Sequence, residues 1–478
     1  MNNWQLTVGL EVHIQLSTKT KMFCQCLSKY GETPNSLTCP ICLAMPGALP
    51  IINQEAINMA IKLSHALDFK VNNKTSFSRK NYYYPDLPKG YQITQFNDPV
   101  CENGKLEIEY NNKKYAIGIT RAHLEEDSGK LIHHSDNTSF IDLNRAGSPL
   151  IEIVSEPDLH SSEHAKLYLE KLKQIVKYID FSDCDMEKGN LRVDINVSIN
   201  KKGDLELGTR REVKNLNSFK SVQRAIDYEY KKQIELIKSG HQIQQSTLSW
   251  DEKNNKTKII REKEDAHDYR YFPEPDLPHL HISDKDIENI GKNIPELPDA
   301  KFDRFSSSYG LKKQDLLKII SDIELADYFE SLVKLTKLPQ QVSNWLLGEI
   351  LAYINKKNIS INKLPIDKKR IAQLIILFDN GKITNINAKK IFVMMISDKR
   401  TPEKIIDEEK MMIVQDDDFL NNLIKNVFKN HENEFDRLKN GEMKLVGFFM
   451  GQIMKEAKGK ADPKLIQKMI NQYIMDKK

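Results

Sequence analysis

Four cysteines near the start of the chain, Cys24, Cys26, Cys39 and Cys42, follow the pattern C-x-C-x12-C-x2-C. Four thiolates close a tetrahedral zinc shell, and Cys39-Pro-Ile-Cys42 is the tight turn such shells use. A shell with no open position makes that zinc structural rather than catalytic. The competing reading is four reduced thiols packed in a core. Cys101 and Cys184 stand apart and read as buried packing residues.

Glu11 and His13 sit two apart on the polar side of an alternating segment, which puts both side chains on one strand face about 6.5–7 Å apart. Such a pair holds one cation or simply faces solvent. Two more acidic places bear on the choice. Arg121-Ala-His-Leu-Glu-Glu-Asp127 carries Glu125 and Glu126 after a strand, and Glu152 interrupts the apolar run Leu150–Val154. A lone buried charge is costly, and Mg²⁺ bound by oxygen ligands would satisfy such a carboxylate. Arg79–Tyr91 mixes Lys80 and Lys89 with four tyrosines, and Asp268–Asp276 mixes charge, aromatics and prolines. Each reads equally as a nucleic-acid loop or as a proline-stiffened corner. The chain has no G-x-x-x-x-G-K-[ST], G-x-G-x-x-G or G-x-S-x-G, so nucleotide binding by a P-loop or Rossmann turn and a nucleophile elbow are excluded.

The elements that must position these groups are strands first. Trp4–Leu16 alternates, with Leu6, Val8, Leu10, Val12, Ile14 and Leu16 on one face and Glu11 and His13 on the other. Leu191–Ile199 does the same, with Arg192, Asp194, Asn196 and Ser198 on its polar face. One-sided burial predicts an antiparallel sheet rather than a doubly wound parallel one. Segments 116–124, 139–143 and 150–154 read as further strands. Apolar stripes predict helices over 165–179 and 219–237, the second closed by Gly240. After the proline-marked segment Ile294–Asp299 the period turns helical, with helices expected over Leu316–Lys334 and Gln341–Asn355. Asp462-Pro463 reads as an N-cap and first-turn proline for a last helix.

With 71 Lys and Arg against 67 Asp and Glu in 478 residues, the net charge of +4 is too small for a globally basic nucleic-acid binder. Charge is instead local. Residues 401–436 carry 4 basic and 10 acidic residues, and 437–478 carry 10 basic and 4 acidic, so the basic last half is the candidate nucleic-acid-facing surface or a solvated helix face. The opening residues read as neither a signal nor a transit peptide, no run is apolar enough to span a membrane, and six cysteines suit a reducing compartment, which predicts a cytoplasmic protein.

Val8–His13, Phe77–Asp86, His123–Gly129, Asp142–Glu152 and Asp268–Asp276, with Gly447–Lys455 in the tail, resemble the B subunits of the aspartyl/glutamyl-tRNA(Asn/Gln) amidotransferases. That resemblance runs the length of the chain. It implies an α+β fold: a cradle domain around an antiparallel sheet over 1–293, a helical domain over 294–400 and a tRNA-binding tail over 401–478. It also implies a carbon–nitrogen ligase with glutamine as amide donor, acting in a heterotrimer with an amidase (the A component) and a small third protein (the C component). The B component would use ATP to phosphorylate the side-chain carboxylate of misacylated Glu-tRNA(Gln) or Asp-tRNA(Asn), and ammonia from the amidase would then attack. On this resemblance Glu11, His13, Glu126 and Glu152 hold Mg²⁺, with Glu125 beside them in the catalytic set, while Lys80, Lys89 and Asp276 line the ammonia path. Zinc on the four cysteines would support the fold and not the reaction. The alternative is a non-catalytic, zinc-containing tRNA-binding adaptor, but such a module has no reason to gather carboxylates where anionic RNA must come. No segment resembles the synthetase signatures HIGH or KMSKS.

Overall fold

The structure, a computed structural model, describes residues 3–133, 138–262, 268–413, 417–457 and 460–476. Of the charged tail residues counted above, Asp416, Lys458, Lys477 and Lys478 lie outside these ranges. The chain forms two compact units, Met1–Pro298 and Asp299–Lys478.

The first unit is built on a large mixed sheet. Its strands run in the order Lys256–Glu262, Ser246–Asp251, Arg211–Leu216, Leu191–Lys201, Trp4–Gln15, Pro149–Ser155, Lys113–Glu126, Tyr91–Thr94, Ser78–Asn81 and Phe272–Pro273. Cys101–Tyr110 pairs along the other edge of Lys113–Glu126. The named pairings are antiparallel, as the one-sided alternation predicts, except that Arg211–Leu216 and Ser246–Asp251 run parallel. Between those two the chain passes through the helix Phe219–Lys238, the long crossover a parallel pair needs. The opening strand is central. Val8, Leu10, Val12 and Ile14 are buried in one core with Leu63, Leu169, Leu172, Val222 and Ile226 from the helices Gln54–Ala66, Ser162–Tyr178 and Phe219–Lys238. The opposite face, which carries Glu11 and His13, is only half-buried.

The helices follow from their ends as much as from their stripes. Ser218 caps Phe219–Lys238 by accepting from the Ser221 amide, and Gly240, at φ +79°, turns the chain away after it. Gln54–Ala66, capped by Asn53, was not among the expected helices.

The second unit is helical, with one apolar core drawn from Phe305–Ile406 and another from Leu420–Ile474. The helix expected over Leu316–Lys334 is two, Lys313–Ile319 and Ile323–Thr336. Asp322 breaks it, because its carboxylate caps the second helix by accepting from the Glu324 and Leu325 amides. The helix expected over Gln341–Asn355 spans Pro339–Lys357 with a wider π turn at Leu346–Ile350. Asp462 accepts from the Lys464 amide and starts the helix Pro463–Asp476. Among the described residues no helix is long and apolar enough to cross a membrane.

Candidate active site

Sheet register brings the chemical groups together. His13 stands opposite Glu152 on one side and Arg192 on the other, and Glu152 stands opposite His123. Arg192, His13, Glu152 and His123 therefore form one row across four strands. Within it His13 Nε2 lies 3.3 Å from Glu152 Oε2 and 3.5 Å from Glu125 Oε1, and His123 Nε2 lies 3.5 Å from Glu152 Oε2. One ligand atom each from His13, Glu125 and Glu152 falls within a 4.8 Å cluster, a spacing that fits a divalent cation.

The electrostatics of this cluster are those of groups crowded out of water. Desolvation pulls His13 down, yet its hydrogen bond to Glu152 and the Glu125 charge outweigh this and raise it to about 9. Glu152 is desolvated as well, but its hydrogen bond with His13 holds it below the usual carboxylate range. Burial raises Glu125 and lowers His123 to about 4, so His123 is a neutral imidazole. Two carboxylates and a histidine with strongly shifted proton affinities in one buried cluster mark a candidate functional site.

Next to it on the same face is a second trio, Glu11, Asp194 and Glu212. Asp194 is opposite Glu11 across the strand pair, and Asn196 Nδ2 donates to Glu11 at 2.9 Å. Lys214 Nζ bridges Asp194 at 2.5 Å and Glu212 at 2.7 Å. Burial, then the Glu152 charge, raises Glu11. His13 and Glu152 of the first trio, and all three members of the second, line a cleft of about 420 Å³ that also takes Lys80, Arg210, Arg261 and Tyr269. It joins clustered carboxylates, for cations, to a cationic rim, for phosphates.

Glu126 is elsewhere. Its carboxylate pairs with Lys89 Nζ and accepts from the Ile93 amide at 2.9 Å, on the opposite side of its strand from Glu125. It lines a separate pocket of about 210 Å³ with Lys89, Tyr91, Phe23, Cys24, Cys42 and Gly147. The structure thus brings Glu125, and not the expected Glu126, to His13 and Glu152. The three residues expected on one ammonia path are also divided. Lys80, 4.9 Å above the Tyr269 ring, belongs to the cleft, and Glu125 raises its ammonium against the pull of burial. Lys89 belongs to the Glu126 pocket. Asp276 accepts from Arg79 at 3.1 Å, and Arg79 lies 4.1 Å from the centre of the Tyr91 ring, which Lys89 also approaches.

Cys24, Cys26, Cys39 and Cys42 converge, with their sulfurs within 4.8 Å of one another. Cys39 and Cys42 sulfurs are 3.9 Å apart, close to the ~3.8 Å edge of a tetrahedron with 2.3 Å zinc–sulfur bonds. Hydrogen bonds from Cys24 and from the Cys39 amide, and after them the Lys21 charge, hold Cys42 well below the ordinary thiol range. The donor set and its geometry fit zinc. Cys101 and Cys184 are buried, as expected.

Asp194, Glu212, Lys214, Arg210, Arg261 and His123 were not singled out from sequence as site residues. The signal for Asp194 was present in the polar face of Leu191–Ile199, which register lays against Glu11. Glu212 and Lys214 come from a short strand whose pairing no local pattern announces.

Comparison with known proteins defines the class first: residues 6–288 match the GatB/GatE catalytic domain and residues 327–474 the GatB domain. Three relatives, from Persephonella marina, Caldicellulosiruptor bescii and Carboxydothermus hydrogenoformans, are each 45% identical to this chain, and each is named as the B subunit of an aspartyl/glutamyl-tRNA(Asn/Gln) amidotransferase. The alignments cover 98%, 98% and 100% of this chain and 98%, 99% and 99% of the relatives. The chain belongs to that B-subunit family, the one its motifs resemble. It is one component of an amidotransferase, a ligase that amidates with glutamine as nitrogen donor.

Proposed function

We propose that this chain activates the side-chain carboxylate of Glu-tRNA(Gln), Asp-tRNA(Asn) or both with ATP, and receives ammonia from the amidase of a cytoplasmic heterotrimer whose third member is the small C component. The observation that carries the reading is the pair of opposed faces at Glu125 and Glu126: cation ligands and a cationic rim on one side, a small lysine-bearing pocket on the other.

Activation joins a tRNA-borne carboxylate oxygen to the γ-phosphorus of ATP and releases ADP; ammonia then attacks the acyl carbon, and phosphate leaves as the amide forms. His13, Glu125 and Glu152, with Glu11 alongside, would hold Mg²⁺, whose charge would offset the repulsion between carboxylate and phosphates. Glu125 thereby takes the ligand role that the motif resemblance gave to Glu126. Arg210, Lys214 and Arg261 orient the phosphates, and Lys80 beside Glu125 holds the reacting carboxylate. Ammonia travels on the Glu126 side, where Lys89 and, through Arg79 and Tyr91, Asp276 form a polar track, and crosses to the Glu125 side at the strand end. The Cys24, Cys26, Cys39 and Cys42 zinc is structural. Residues 1–293 carry this chemistry, 294–400 form a helical connector and 401–478 bind tRNA. An adaptor without chemistry is disfavoured, since nothing in tRNA binding calls for these carboxylates.

The test is ATP turnover by the chain assembled with its amidase partner. Cleavage that depends on misacylated tRNA supports the reading, and cleavage indifferent to tRNA, or none, contradicts it.

A further inference from the structure

Lys21 is fully buried, and the mechanism above does not use it. Its ammonium donates to Leu37 O at 2.8 Å, to Leu143 O at 3.3 Å and to Cys42 Sγ at 3.7 Å. Among the described residues it makes no ion pair with a carboxylate. A buried ammonium is costly without compensating charge, and beyond the two neutral carbonyls its hydrogen-bond partner is Cys42 Sγ, which points to the cysteines as the source of that charge. Four protonated thiols supply none, and a single Cys42 thiolate beside the ammonium supplies one unit. Four thiolates around one Zn²⁺ carry a net charge of −2, and the ammonium lies at their edge.

The same place touches the Glu126 pocket. Cys24 and Cys42 line that pocket together with Glu126 and Lys89. Gly147 is the junction: its φ is +85°, and a Cβ there would sit 3.5 Å from Lys21 Cδ, 3.7 Å from Cys42 Cβ and 3.7 Å from Glu126 Oε2. Its carbonyl accepts from the Met22 amide and its own amide donates to Asp127 O, so the stretch after Lys21 is bonded to the loop behind Glu126.

We propose that Lys21 is the charge complement of a zinc-loaded tetrathiolate, a positioning residue that holds the metal and, through Gly147, fixes one wall of the Glu126–Lys89 pocket. The metal then keeps the ammonia-side pocket in shape as well as stabilising the fold. The second half of this statement rests on the reading of that pocket as the ammonia path.

The test uses the assembled amidotransferase with Lys21→Met, which keeps the chain length, and Lys21→Gln, which keeps a donor but no charge. Zinc transfer to a chromogenic chelator is the first readout. Both variants should bind zinc at least ~10-fold more weakly, the scale of losing a group that supports a metal ligand. Zinc held as tightly as in the unchanged enzyme, by either variant, overturns the charge role. Should neither variant fold, the unchanged complex decides: one zinc per chain with the four thiols protected supports the proposal, and no zinc with four reactive thiols overturns it. The second readout is amide formed per ATP cleaved, which should fall in the zinc-depleted variants. An unchanged ratio after zinc loss removes the wall role. Glu126→Gln separates the two readings: if it too leaves the ratio unchanged, the ammonia path is misplaced while the zinc result stands.

Discussion

Glu125 and Glu126 are consecutive residues, both buried, whose carboxylates serve opposite faces of one strand: Glu125 lies 3.5 Å from His13, and Glu126 pairs with Lys89. On the proposed function the two half-reactions lie on opposite faces of a sheet with these adjacent residues as their meeting point, so mutations can dissect them.

Glu11→Gln keeps volume and strand pattern while removing one negative group from the cleft. Folding, assembly and tRNA binding should survive, and tRNA-dependent ATP cleavage should fall at least ~10²-fold, the scale of losing one preorganised electrostatic interaction. Free ammonium should not restore product, because the defect precedes ammonia attack. Normal formation of the activated intermediate would show that this strand face is merely solvated.

Lys89→Leu removes the cation that pairs with Glu126 and leaves the cleft untouched. The variant should continue to cleave ATP in the presence of misacylated tRNA and should fail to convert glutamine nitrogen into product. Parallel assays of ADP and amide check this, and a matched loss of both would place Lys89 in the activation step.

His13 gives a pH signature. Its folded-state value of about 9 lies above the ~6.5 of an unfolded histidine. Its contribution to the stability of the metal-free protein is therefore fully present below about pH 6.5 and is lost as pH rises through about 9. Denaturant titrations of chelated protein at pH 6 and pH 9.5 should show that loss, and His13→Gln should flatten it. A divalent cation must displace the same proton, so calorimetry at pH 7 in buffers of different ionisation enthalpy should detect about one proton released per cation.

The tail prediction depends on where the chain is cut. Ile405 and Ile406 belong to the core drawn from Phe305–Ile406, so removal of residues 412–478 spares that core where removal from 401 would not. Truncated complex should bind tRNA more weakly and with a flatter dependence on salt, by ~0.7–0.9 in log–log slope for each phosphate no longer neutralised. Unchanged affinity at every salt concentration would exclude a tRNA role for the tail.

Much of this site was legible because strand alternation is a local property. Leu6 to Leu16 named the core face of the central strand, and with it the face of Glu11 and His13. The choice between Glu125 and Glu126 was not legible. Ile117 and Ile119 point into the core, and extending their alternation would bury position 125 with them and put 126 on the site face. The register shifts between Val154 and Ser155, opposite 119–121, and beyond it Ala122 and Leu124 are the core residues. A bulge adds one residue to one strand and reverses the phase of everything after it. Nothing in Thr120 or its neighbours announces that. The second trio was hidden for a different reason: Glu212 meets Glu11 only through the intervening strand Leu191–Lys201, whose pairing with Trp4–Gln15 sets Asp194 opposite Glu11 from far along the sequence.

The central claim, activation on the Glu125 face and ammonia on the Glu126 face, is tested most directly by comparing Glu125→Gln with Glu126→Gln in the assembled enzyme, each given ATP and misacylated tRNA. The quantity to measure is the phosphorylated aminoacyl-tRNA formed in a single turnover without glutamine. The account predicts that Glu125→Gln forms at least ~10²-fold less of it and that Glu126→Gln forms it at close to the normal rate. Equal loss in both variants, or loss in Glu126→Gln alone, would contradict it.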